Sequence, residues 1–339
     1  MSSSRSVAAE GSAREKVPSV ALGRRWPVVG RIVVGVGAYA VLVGVALWRG
    51  GFDPAGIARL LIGSQLGYVV LALAAYYGSF PFRAWRWKLL LARHTPHPVS
   101  TKRLMLPYLY SWLVNCAVPA KLGELYRCYL VQRRCAVPFS LAFGATLVER
   151  AADLVFLAVL LPLATLLVFH GSGESEFLVL QIIAVLLTLG FLVALLSLRW
   201  SQRFSHRLPS VVRRPIASLA AGLAIDRSTA GKVFLFTVPL WSLEAARVFA
   251  EARALGLAVS LPLALLIALL AALLTTVPLT PAGIGAVEIG VVGLLMVLGL
   301  SIEHAAALAL LDRLVAYWSV FLVAGIPWLA ERLLSGRRP

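Results

Sequence analysis

Apolar stretches of about the length needed to cross a bilayer recur along this chain, Leu154 through Phe169 and Leu178 through Leu198 among them. A hydrocarbon core of roughly 30 Å takes about 20 helical residues. No water reaches that depth, so every backbone N–H and C=O must be satisfied within the segment, and a helix does this. Apolar residues make up 60% of the chain and charged residues only 14%, where soluble domains carry about 25%. The reading is an all-α polytopic membrane protein.

Two stretches break the apolar pattern. Pro119-Ala120-Lys121-Leu122-Gly123-Glu124-Leu125-Tyr126-Arg127 is one, and the segment from Thr276 to Glu288, with Pro278, Pro281, Gly283 and Gly285, is the other. Helix breakers and ionisable groups at membrane depth survive where protein or water surrounds them, not against lipid. The two breaks are therefore expected to line one internal site.

The distribution of basic residues orients the chain. The net charge of +17 lies in short loops between apolar runs, the pattern that keeps Lys and Arg on the cytoplasmic side and disfavours a nucleic-acid partner. A cytoplasmic, disordered tail is expected over residues 1–29, then a first helix near 32–48, with no small-residue cleavage site of the signal-peptide kind. A lightly charged external loop from Arg49 to Ser64 leads to a second helix near 65–82. That helix returns to a cytoplasmic cluster of Arg83, Arg86, Lys88, Arg93, Lys102 and Arg103, with Trp85 and Trp87 as interfacial anchors. If 104–118 then crossed fully, Lys121, Arg127, Arg133 and Arg134 would face outside. A re-entrant hairpin turning near Pro119 removes the conflict. Helices near 141–169 and 177–198 flank an acidic external loop, and 213–232 reads as an amphipathic surface helix. A helix near 233–250 follows. The pair 261–279 and 284–300 fits either two full spans or one hairpin entered from outside. A last helix near 304–330 ends at a cytoplasmic tail, 333–339.

The halves, about 30–170 and 177–332, share their spacing. Glu149 and Arg150 follow Pro119 by 30 and 31 residues, and Asp312 and Arg313 follow Pro281 by 31 and 32. Arg86 precedes Pro119 by 33 residues and Arg247 precedes Pro281 by 34. Three spanning helices and one broken hairpin per half place the second copy upside down, an inverted repeat of the kind that seats substrate near the midplane.

At these residues the chain resembles a known family. The segments Val118 to Arg127, Val148 to Leu154, Pro278 to Glu288 and Asp312 to Trp318 come in the order seen in the transmembrane, flippase-like domain of lysylphosphatidylglycerol synthases, the multiple peptide resistance factor family. The resemblance covers residues 30 to 332. It implies moving or presenting a lipid with a polar headgroup across the bilayer, and the basic loops place both termini on the cytoplasmic side of the cell membrane. The family's soluble lysyltransferase domain would follow the last helix, where this chain stops at Pro339, so lysyl transfer is not implied. Position 312 is Asp where the family pattern more often has Tyr.

Carrying a phosphate through hydrocarbon requires cations and backbone N–H groups in place of water, which helix N-termini supply. Lys121 and Arg127 are candidate phosphate ligands, with snorkelling to the interface as the competing use. Gly283 and Gly285 would let a headgroup approach the backbone. Glu124 with Arg127, Arg150 with Asp153, and Glu244 with Arg247 are each three residues apart and able to pair on one helix face. Glu149 shares a face with Asp153. All of these groups read either as substrate contacts or as salt bridges between helices. Glu288 is the acid best placed for a substrate or proton role, and Arg313 with Tyr317 forms a cationic and aromatic face.

Cys116, Cys128 and Cys135 lack metal-type spacing, and the five histidines form no ligand pair, so neither a metal nor a zinc-protease site is expected. No nucleotide-binding glycine pattern occurs, and no cofactor is expected. The expected partners are membrane lipids with anionic or lipid-linked headgroups, with a homodimer as one option. The competing functions are an intramembrane enzyme acting on lipid-linked substrates, with Glu149, Asp153 or Glu288 as base, and an accessory membrane protein that transports nothing.

Overall fold

A computed structural model describes residues 53–92, 99–118, 121–169, 210–276 and 280–335, with isolated helical positions between 178 and 197. The expected tail and first helix, most of the helix near 177–198, the acidic loop, the residues Pro119-Ala120 and 277–279, and the last four residues lie outside the described part. Every described element is a helix, and no strand occurs among the described residues.

Helix α1 (Pro54–Ile62) starts on an Asp53 cap that accepts from Ala55 N at 2.9 Å, with Pro54 at the first helical position, where its missing N–H costs nothing. The segment read as an external loop thus contains a helix. The chain then bends by 83° into α2 (Leu66–Ala92).

Helix α2 runs ten residues past the expected end at 82, and Arg83, Arg86 and Trp87 are buried within it rather than lying in a cytoplasmic loop. Only Trp85 keeps the exposure expected of an anchor. The cause is compensation: carboxylates on two other helices neutralise these arginines, so the helix need not end where the charges begin.

Two pairs of short helices flank the breaks. α3 (Thr101–Ala117) and α4 (Leu122–Cys135) have 17 and 14 residues, fewer than the roughly 20 a full crossing needs. They double back closely: a Cβ on Gly123 would stand 2.0 Å from the Ser111 carbonyl oxygen, and Gly123 N donates to Asn115 Oδ1 at 2.9 Å. α8 (Leu261–Thr276) and α9 (Ala286–Val297) have 16 and 12 residues. There the missing Cβ of Gly290 makes room for Leu274, which it would otherwise meet at 2.4 Å.

Among the described residues, three long helices are apolar enough to cross a membrane: α5 (Phe139–Phe169), α7 (Arg227–Ala254) and the run Ile302–Glu331, with the bent pair α1–α2 as a fourth. The last run is composite. α10 (Ile302–Arg313) passes through a π-helical turn, Leu314–Trp318, into α11 (Ser319–Val323) and α12 (Gly325–Ser335). Such turns free a carbonyl from the helix ladder and favour functional sites. Here Tyr76 OH donates to the Ala316 carbonyl at 2.9 Å.

The stretch 213–232, expected as one surface helix, is split. α6 (Ser210–Leu223) packs on α5 through Gly144 and Gly222, where an added Cβ would come 2.3 Å from a backbone oxygen of the opposite helix. The chain breaks at Asp226, which caps α7 by accepting from Thr229 N at 3.1 Å. Helices α2 and α7 pack along each other and carry the charged layer described next.

A charged cavity between the two breaks

A cavity of about 420 Å³ opens where α2, α3, α4, α5, α7, α8 and α10 converge. The first break contributes Val118 and Lys121 to its wall, and the second contributes Thr280 and Ala282. Both breaks turn through a left-handed residue that is not glycine: Lys121 at φ 51° and Ala282 at φ 48°. Left-handed backbone costs an L-residue roughly 1–2 kcal/mol, and such strain persists where the surrounding structure enforces it.

Behind the cavity, Glu149 is fully buried on α5 and collects three donors. Arg86 Nη2 and Arg127 Nη2 each donate at 2.9 Å, and Tyr108 OH makes the third bond. Arg86 also reaches Asp153 Oδ1 at 2.6 Å and Thr237 Oγ1 at 3.0 Å. The Arg127 guanidinium lies over the rings of Trp87 and Tyr108, at 4.3 and 4.2 Å from their centroids. Cations over such rings gain from the ring quadrupole once desolvated. Arg127 and Glu149 therefore stand behind the cavity wall rather than in it.

Arg127 thus does not pair with Glu124. Glu124 instead binds Arg150 on α5 at 2.7 Å, with Arg150 also 3.6 Å from Asp153. The fully buried Glu149 offers Arg127 a drier partner than a half-buried neighbour three residues away. The other two local pairs form, Arg150–Asp153 as given and Glu244–Arg247 at 3.2 Å.

On the opposite side, Arg247 is the hub. It meets Glu244, then Glu251 at 2.8 Å, and Asp312 on α10 in a short ion pair. Arg83 Nη2 holds the other oxygen of Glu244 at 2.7 Å, across the α2–α7 contact. Arg313 reaches Glu288 at 3.2 Å, Asp312 at 3.7 Å and the Ala282 carbonyl at 3.3 Å. Glu288 Oε2 accepts from Gly285 N at 2.7 Å, closing the start of α9. Tyr317 OH donates to the Cys116 carbonyl at 2.9 Å, tying the π-turn to the end of α3.

Of the candidate residues, Lys121, Glu124, Arg150, Asp153, Glu244, Arg247 and Arg313 border the cavity. Arg127, Glu149, Gly283, Gly285, Glu288 and Tyr317 support it from behind or beside. Sequence reasoning missed Arg83, Tyr108, Trp87 and Glu251. A signal for Arg83 existed: it precedes Glu244 by 161 residues, the same interval that separates Arg86 from Arg247. Among the described residues no group of His, Cys, Asp and Glu side chains is arranged to hold a metal ion.

Apolar helices of membrane-crossing length around a buried charged cavity define a polytopic α-helical membrane protein. The chain belongs to the family described as the lysylphosphatidylglycerol synthase TM region, which it matches over residues 30–324. Among similar proteins are two archaeal UPF0104 membrane proteins. One, from Methanocaldococcus jannaschii, is 28% identical over 221 residues, covering 63% of this chain and 92% of the relative. The other, from Methanothermobacter thermautotrophicus, is 24% identical over 336 residues, covering 90% and 97%. The glycosyltransferase AglD of Haloferax volcanii is 25% identical over 339 residues, covering 87% of this chain and about half, 54%, of AglD.

Proposed function

We propose that this protein is a flippase-like translocator that seats the headgroup of a phosphate-bearing, singly anionic lipid in the cavity between the two breaks. The observation that carries the reading is Lys121. Arg83, Arg150, Arg247 and Arg313 at the wall are each in an ion pair with a carboxylate. Lys121 faces the same cavity, and no carboxylate among the described residues lies within ion-pair distance of its ammonium. With Glu124, Asp153, Glu244 and Asp312 as the lining acids, five cations face four carboxylates. Glu251 and Glu288 behind the wall hold Arg247 and Arg313, so Lys121 is the lining cation left to meet an anionic ligand. A lipid phosphodiester supplies one negative charge, and a charge at this depth persists only when paired.

The apolar part of the wall suits the rest of such a ligand. Leu147, Leu154 and Leu157 on α5 face Ala268, Ala271 and Ala272 on α8, so one cavity offers a charged seat and an apolar seam. The paired breaks support an inverted repeat. Arg86 meets Glu149 as Arg247 meets Asp312, and Arg150 meets Glu124 as Arg313 meets Glu288. Thr237 touches Arg86 while Tyr76 lies 5.9 Å from Arg247, and these two contacts exchange under the same 161-residue offset. Arg83 and Glu244, related by that offset and bonded to each other, would sit on the pseudo-twofold axis. Two hairpins entering from opposite faces give a route to alternating exposure, in a cytoplasmic membrane with both termini inside.

The likeness to AglD favours a second reading, transfer of a group on a lipid-linked sugar. Proteoliposomes separate the two. A translocator exposes inner-leaflet fluorescent phosphatidylglycerol to an external quencher without altering it, and Lys121→Ala slows the exposure. An unchanged rate relative to protein-free vesicles, or a new lipid product by mass spectrometry, overturns the translocator.

A further inference from the structure

The second half of the charged layer holds more acid than base. Arg83, Arg247 and Arg313 face Glu244, Glu251, Glu288 and Asp312. Lys121 makes no ion pair with any acid of this group among the described residues. A fully buried carboxylate without compensation cannot stay ionised and takes up a proton instead.

The geometry singles out one acid. Glu244 is held by two arginines, Arg83 and Arg247. Asp312 also lies beside two, Arg247 and Arg313. Glu288 has Arg313 and the Gly285 N–H. Glu251 is completely buried and, among the described residues, is paired with Arg247 Nη1 alone, the same nitrogen that serves Asp312. Its second oxygen, Oε2, meets no donor among the described residues.

Among the described residues, the surroundings supply no further cation to Glu251. Around Glu251, α7 itself brings Arg247 and Glu244, and α10 brings Asp312 with Arg313 behind it. From α2 come Tyr76, which donates to a backbone carbonyl, and Arg83, which is committed to Glu244. Helix α8 carries no titratable side chain. On α5, Glu149, Arg150 and Asp153 are occupied with Arg86, Arg127 and Glu124.

We propose that Glu251 is a proton-binding site, and that its proton is coupled to the anion in the cavity through Arg247. Arg247 borders the cavity while Glu251 lies behind it. An anion that takes a share of Arg247 withdraws positive charge from Glu251 and favours the protonated acid. The coupling is reciprocal: the proton frees Arg247 for the anion. Its link to transport rests on the translocation reading above, but the proton site itself does not.

Two measurements test it. Infrared spectra of the protein in nanodiscs at neutral pH, before and after deuterium exchange, should show a protonated-carboxyl band that disappears in Glu251→Gln and persists in Glu303→Gln. Because glutamine mimics the neutral acid, Glu251→Gln should melt at the wild-type temperature. No such band, or a band that survives in Glu251→Gln, overturns the proton site. Binding of phosphatidylglycerol should weaken with rising pH, by up to about tenfold per unit for one linked proton, and lose that slope in Glu251→Gln. A slope retained in the variant overturns the coupling. Absence of phosphatidylglycerol binding at every pH overturns both the coupling to this lipid and the proposed substrate, while the infrared result still decides the proton.

Discussion

Replacing Lys121 by glycine should separate what this residue does for the fold from what it does for a ligand. Its backbone lies at φ 51°, ψ 34°, a conformation that glycine adopts freely and that costs other residues about 1–2 kcal/mol. The glycine variant also has more freedom to lose on folding, which offsets part of the relief. The side chain makes no ion pair that would be forfeited. Lys121→Gly should therefore be as stable as the parent or more so, by up to about 1 kcal/mol, roughly 2 °C in melting temperature for a chain of this size. Binding should move the other way. A hydrogen bond to a charged partner contributes about 1.5–3 kcal/mol, so affinity for phosphatidylglycerol should fall about ten- to hundredfold. Lys121→Asn, which tolerates the same backbone without the charge, should behave alike. The assay is thermal unfolding in detergent alongside lipid titration. A glycine variant that melts several degrees lower yet binds lipid as before would refute the reasoning and make the ammonium a structural group.

Glu149→Ala leaves Arg86, Arg127 and Tyr108 facing one another without their shared acceptor. It should cost about 3–5 kcal/mol in reversible denaturant unfolding, with Glu149→Gln milder. Arg83→Gln and Glu244→Gln should show a coupling energy of about 1–3 kcal/mol in a double-mutant cycle; additive effects would mean the pair does not join α2 to α7. Gly222→Val forces a side chain into the α5 backbone, and should raise protease sensitivity and lower the melting temperature, at a cost of at least about 1–3 kcal/mol.

The membrane class and the position of both breaks were legible because apolar run length and helix breakers are local properties. Why α2 continues was not. Arg83 and Arg86 count as water-seeking in any window, and only the fold reveals that Glu244, Glu149 and Asp153 neutralise them. Glu124 failed for the same reason: the three-residue rule finds Arg127 but cannot see Arg150 arriving from another helix. The rule succeeded for Glu244 and Arg247, whose other partners do not compete for the same atoms. Glu251, four residues after Arg247 and able to pair with it on one helix face, went unremarked because it lies just past the expected helix end near 250.

The central claim is that the two breaks, distant in sequence, face each other across one cavity. It is tested most directly by a variant with cysteines at Lys121 and Thr280 only, Cys116, Cys128 and Cys135 replaced, and a protease site inserted within 171–176. A short bis-methanethiosulfonate linker should hold the two fragments together on a denaturing gel after cleavage, and bound phosphatidylglycerol should suppress the link. Fragments that separate after treatment, with both cysteines shown to be reactive, would contradict it.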